Sequence, residues 1–141
     1  MWNELTPELL LSRVADGEFN ALQNAATAPG QEDVLETTAA DVAAEWRGKL
    51  ARVTPLSKRP LAVPSEVLIH IKADYRYRAY TRLPGMSAFL DELRVAEWKE
   101  ARKTLDALEK INIEPPEEGD LLAPTSGGPS PNIVAPLSIL E

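Results

Sequence analysis

Residues 32–53 read EDVLETTAADVAAEWRGKLARV, and this stretch decides the fold. Its apolar residues Leu35, Ala39, Val42, Trp46, Leu50 and Val53 follow one another at offsets of three or four, which brings them to one side of an α-helix. Glu32, Asp33 and Glu36 stand in the first turn and Arg47, Lys49 and Arg52 in the last, the distribution that a helix dipole favours. The spacing predicts a helix over 32–52 whose apolar stripe faces a core.

Working outward, Thr6-Pro7-Glu8 combines an N-cap residue with proline at the first helical position, so a short helix is expected over 7–15, ended by Asp16-Gly17. A second short helix is expected over 18–26, before the break at Ala28-Pro29-Gly30. On the other side, Pro55, Pro60 and Pro64 exclude helix and favour an extended loop. Ser65 is suited to cap a helix that ends near Leu83, before Pro84-Gly85, and turns Leu68, Ile71, Tyr75 and Ala79 inward. A last long helix over 87–110 is expected to bury Leu90, Leu93, Trp98, Ala101, Leu105 and Leu108, with Glu100–Lys103 and Asp106–Lys110 pairs in support. The expected class is therefore all-α: a small bundle of three long helices plus short N-terminal helices, filling a domain over 1–113.

Past Ile113 the chain turns to Glu-Pro-Pro-Glu-Glu-Gly and then to a run with prolines at 124, 129 and 131 and glycines at 127 and 128. Such a composition does not pack by itself, so 114–141 is expected to be an extended, Pro-rich tail. Leu121, Leu122, Ile133, Val134, Leu137, Ile139 and Leu140 are apolar islands on it. They are candidate partner-binding residues, ordering on another chain or folding back on their own domain.

The absence of cysteine excludes disulfides, thiolate metal sites and cysteine nucleophiles. His70 is the only histidine, and with Asp74 one turn away it offers half of a metal site that nothing completes. Gly127-Gly128 lacks the strand and the lysine-serine ending of a phosphate loop. No metal, cofactor or catalytic residues are expected, and the chain does not read as an enzyme. Glu4 and Glu8 occupy the place where a secretory signal carries bases, and no apolar run approaches membrane-span length, so a soluble protein with no membrane partner is expected.

Charge comes in blocks. Through Glu45 there are nine acidic residues and one base, from Trp46 to Lys110 fourteen bases and eight acids, and beyond that five acids, for a net charge of −7. A basic middle between acidic ends suits either a nucleic-acid surface or complementary patches on neighbouring subunits. The stretch Lys72-Ala73-Asp74-Tyr75-Arg76-Tyr77-Arg78-Ala79-Tyr80-Thr81-Arg82 mixes bases with aromatics as nucleic-acid binders do. On a helix, however, Lys72 and Arg76 fall on one edge of the apolar face and Arg78 and Arg82 towards the other. Arg76, Arg78 and Arg82 are thus candidate electrostatic contacts, and Asp74 can also pair with Arg78. Trp46 and Trp98 fall on apolar faces and are expected in the core. Trp2 precedes the first helix and either packs as a staple or projects towards a partner.

Taken in order, an N-terminal short helix, the alanine-rich acidic helix 34–50, the loop Arg59-Pro60-Leu61-Ala62-Val63-Pro64, the helix with Ala73-Asp74-Tyr75-Arg76-Tyr77-Arg78 and the final helix 96–113 resemble the head-tail connector, or adaptor, proteins of Mu-like phages and prophages. The resemblance covers residues 5–113, and the tail is where the chain departs from the family pattern. What it implies is a structural virion protein that forms a homo-oligomeric ring on the phage portal protein and meets a tail or stopper/tail-terminator protein. DNA would pass the channel without specific binding. The location implied is the head-tail interface of the virion, reached from the host cytoplasm during assembly. No catalytic residue is implied. The alternative reading of the residues is a small helical regulatory or nucleic-acid-binding protein that uses the Arg/Tyr helix.

Overall fold

The computed structural model describes residues 1–12 and 14–122. In chain order these form β1 (Trp2–Glu4), α1 (Pro7–Leu10), α2 (Asp16–Ala26), α3 (Val34–Leu50), β2 (Ala62–Pro64), α4 (Leu68–Arg82) and α5 (Glu92–Asp106). Single 3-10 turns occupy Ser65–Val67, Ser87–Phe89, Leu108–Lys110 and Glu118–Asp120. The helical class is as expected, and the ribbon corrects the all-α reading. β1 and β2 pair antiparallel, with Trp2 opposite Pro64, Asn3 opposite Val63 and Glu4 opposite Ala62. The Leu5 amide donates to the Leu61 carbonyl and the Ser65 amide to the Met1 carbonyl, extending the ribbon at both ends.

The stripe on α3 packs much as its spacing predicts: Ala39, Val42, Ala43, Trp46 and Leu50 are buried. Ile71, Tyr75, Ala79 and Tyr80 of α4 meet them, and Ala101 and Leu105 of α5 close the core. The most extensive helix pairing is between α4 and α5. Leu5, Leu10 and Leu22 carry the N-terminal segment onto the same core. Gly85, at φ 78°, supplies the left-handed turn after α4 that a side chain would strain.

Several boundaries move, each for a local reason. Asp16-Gly17 opens α2 instead of ending the preceding helix, and α1 stops at Leu10. Ser65 does not cap α4, because its hydroxyl accepts from Asn3 Nδ2 at 2.9 Å and donates to the Met1 carbonyl at 2.8 Å. The helix expected over 87–110 is divided, since the Asp91 carboxylate accepts from the Arg94 amide at 2.9 Å and so caps a new helix at Glu92. With that start the inward face runs through Arg94, Trp98, Ala101 and Leu105, while Leu93 points outward at 68% exposure. Val53 lies beyond the end of α3 and is 39% exposed. Asp106 reaches Lys49 at 3.7 Å, where a pair with Lys110 was expected.

Packed structure continues past Ile113 into the expected tail. The Trp2 indole donates to the Glu114 carbonyl at 2.9 Å, and the Glu114 amide donates to Glu66 Oε2 at 3.0 Å. Arg59 holds Asp120 through two hydrogen bonds, at 3.1 and 2.9 Å, and Ser57 donates to the same carboxylate at 2.7 Å. The Leu122 amide donates to the Leu56 carbonyl at 2.8 Å. A proline-rich segment with no ladder of its own is held by Trp2 and Glu66 at its start and by the loop after α3 at Asp120 and Leu122. No helix of the described residues is long and apolar enough to cross a membrane.

Candidate functional site

Two clusters of charge are built on α3, one at each side of its midpoint. The first centres on Asp74, an acidic residue on the inward face of α4 with no exposed surface. The indole of Trp46 donates to it at 2.9 Å and that of Trp98 at 3.1 Å. Arg78, one turn along α4, donates through Nε and Nη2 at 3.1 and 3.0 Å, and Arg102 of α5 adds a contact at 3.3 Å. Glu45 of α3 accepts from Arg102 at 2.8 and 3.1 Å and from Arg78. Tyr77 stacks on Trp98, with ring centroids 3.9 Å apart, and covers the cluster from the side.

Two carboxylates face two guanidinium groups here, so the cluster is neutral, and none of its buried side-chain donors or acceptors lacks a partner. The hydrogen bond from Arg102 holds the Glu45 carboxyl down to about 2; burial opposes this, and the hydrogen bond and charge of Arg78 reinforce it. Such a carboxylate stays ionised and engaged at neutral pH. It is a tie between α3, α4 and α5, and it has no proton to offer a substrate.

Among the predicted electrostatic contacts, Arg78 is spent on this cluster. Arg82 binds Asp41 at 3.0 Å and Thr38 Oγ1 at 2.8 Å. Arg76 points elsewhere, into a groove between α4 and α5 that also exposes Ile69, His70 and Lys72 to Glu97 and Glu100; its buried Nε has no partner among the described residues. The three arginines therefore do not form one surface. His70 lies in that groove and Asp74 in the core, and no group of three His, Asp or Glu residues among those described could hold a metal ion.

Trp2 is 5% exposed and donates its indole N–H to Glu114, so it packs within its own chain and is not a projecting partner contact. Trp46 is fully buried, whereas Trp98 is half-buried because it roofs the Asp74 cluster. Leu121 and Leu122 are 37% and 52% exposed beside the loop after α3. The remaining candidates, Ile133, Val134, Leu137, Ile139 and Leu140, lie outside the described residues.

The second cluster was not anticipated as a site. An open groove of about 510 Å³ lies between α1, α2 and the first turn of α3, floored by Leu11, Val14, Leu22, Ala26 and Leu35, with half-exposed Phe19 at its lip. A second depression of about 470 Å³ shares Pro7, Glu8 and Leu35 with it and is lined by Glu4, Glu8, Glu32 and Glu36. All four carboxylates are exposed, and none forms an ion pair among the described residues. The acidic block was visible in the sequence; its convergence depends on the ribbon and the α1 turn folding against α3. No protein-family model, curated protein or solved structure matches the chain.

Proposed function

We propose that this chain is a structural assembly protein, a head-tail connector that forms a ring on a phage portal and joins the capsid to the tail. One observation carries the assembly reading: two of the three arginines that would make α4 a phosphate-binding surface are held by the chain's own carboxylates, while an apolar groove beside four glutamates, unpaired among the described residues, stays open. Arg78 is held by Asp74 and Glu45, and Arg82 by Asp41. A surface of that kind repels nucleic acid and suits a protein partner. The resemblance in the order of helices supports the narrower form of the reading, with α3, α4 and α5 as the connector bundle and the apolar residues between Leu121 and Leu140 engaging the portal or a neighbouring subunit. Glu45 and Asp74 tie helices together in this reading, and no residue acts in catalysis.

The experiment is co-sedimentation of the chain with portal rings encoded in the same genome, with fluorescence anisotropy on a labelled DNA duplex beside it. Portal binding with no duplex binding at physiological salt is the expected result. Failure to bind the portal, together with salt-sensitive duplex binding that Arg76→Ala abolishes, would move the chain to the nucleic-acid-binding class.

A further inference from the structure

The two ends of α3 differ in sign and agree in being apolar. At its N-terminal end lies the groove floored by Leu11, Leu22 and Leu35, with Glu4, Glu8, Glu32 and Glu36 beside it. At its C-terminal end Arg52 and Lys58 are exposed and form no ion pair among the described residues, and Val53, Leu121 and Leu122 are exposed around them at 39, 37 and 52%. Lys58 is fixed to that end, since its amide donates to the Asp120 carbonyl at 2.7 Å.

We propose that a second copy of this chain seats the C-terminal end of its α3, with Val53, Leu121 and Leu122, in the apolar groove at the N-terminal end of the first, and that Arg52 and Lys58 meet the four glutamates. This rests on the assembly reading above and names the surfaces that reading would use. The argument for a second copy is complementarity carried by one molecule: Arg52 and Lys58 of one end, unpaired among the described residues, answer the four unpaired glutamates of the other, with Glu117 and Glu118 the exposed acids that the basic end also carries. The same chain cannot satisfy itself, because the 17 residues of α3 hold the ends about 25 Å apart on a rigid rod. Exposed apolar side chains on both faces supply the area to be removed from water, and the opposed charges set the register. Because the two surfaces are different, the contact is heterologous. Each added copy leaves one groove and one basic end for the next, which closes to a ring or continues as a filament according to the rotation between neighbours.

Charge reversal tests this on the full-length chain by sedimentation velocity, with circular dichroism as the check on folding. Wild type is expected to self-associate at low salt and to dissociate progressively towards roughly 0.5 M salt, where the Debye length falls to about 4 Å. Glu4→Lys, Glu8→Lys, Glu32→Lys and Glu36→Lys together, and separately Arg52→Glu with Lys58→Glu, should each weaken association at least tenfold. Mixing the two variants in equal amounts should restore it, since every contact in an alternating array then pairs opposite signs. One chain carrying all six reversals should assemble with itself. A monomeric wild type, reversals without effect, or no recovery on mixing would overturn the proposal. Portal co-sedimentation is read separately: a chain that binds portal rings yet fails these tests keeps the connector reading and loses this one.

Discussion

The Asp74 cluster and the glutamate groove hold carboxylates of the same chemistry within one small domain, yet they are treated in opposite ways. Asp74 and Glu45 are each met by two arginines, and Asp74 also by two indoles. Glu4, Glu8, Glu32 and Glu36 stand beside one another and form no ion pair among the described residues. A buried charge without a partner is costly enough that a fold must match it; an exposed one costs little and can be left for use elsewhere. The first cluster therefore reports what holds the molecule together. The second reports what its surface is available to do.

The sharpest way to break the contrast is Asp74→Ala. It removes the common acceptor of Trp46, Trp98, Arg78 and Arg102 and leaves an excess of buried donors, so the loss should be on the order of 3–5 kcal/mol in denaturant unfolding. Trp46→Phe keeps most of the ring volume and removes a single N–H from Asp74. About 1–3 kcal/mol is expected there. A loss for Asp74→Ala no larger than that for an exposed carboxylate would mean that the cluster is ornamental to the fold.

Acid titration separates the clusters next. Glu45 has its folded pKa lowered from 4.5 to about 2, so its contribution to stability is fully present above about pH 4.5 and is lost as the pH falls through that window towards 2. Glu45→Gln should lower stability at neutral pH, and the gap to wild type should close on acidification between those values. The effect is modest, since the Glu45 side chain is one-third exposed and screened by solvent. A gap that stays constant down to pH 2 would show that Glu45 is not held in its charged form by Arg102 and Arg78.

The helical half of this contrast was legible in the sequence, and the site half was not. Trp46 could be placed in the core because Leu35, Ala39, Val42 and Leu50 repeat at helical spacing around it. Asp74 could be paired with Arg78 by the single turn between them. Its burial could not be read, because the indoles and Arg102 that justify it stand 24 to 28 residues away. The ribbon escaped notice since three residues are too few to show alternation, and Pro64 closing β2 looks like loop. The start of α5 is hidden in the sequence because Asp91 fits a helix interior as readily as a cap, and only its bond to the Arg94 amide distinguishes the two. The groove depends on β1, α1 and α3 meeting, and periodicity within one element carries no record of that.

The smallest effect on folding should come from the rim, and its smallness is the informative part. Glu8 and Glu36 lie exposed beside Glu4 and Glu32, so the four like charges repel one another through solvent and contribute no ion pair among the described residues. Glu8→Gln with Glu36→Gln should change stability by no more than about 0.5 kcal/mol. Two opposed terms set the small net change, since relief of the repulsion stabilises while α1 and α3 each lose a first-turn carboxylate that suits the helix dipole, and both fade as salt screens them. Thermal unfolding of the double variant against wild type at low and at physiological salt makes the measurement. A destabilisation of the size expected for Asp74→Ala would mean that these carboxylates do structural work after all and that the distinction between matched and unmatched charge fails. A change that stays within about 0.5 kcal/mol in either direction leaves their convergence beside an apolar groove without a folding role, which is the condition a surface kept for another chain has to meet.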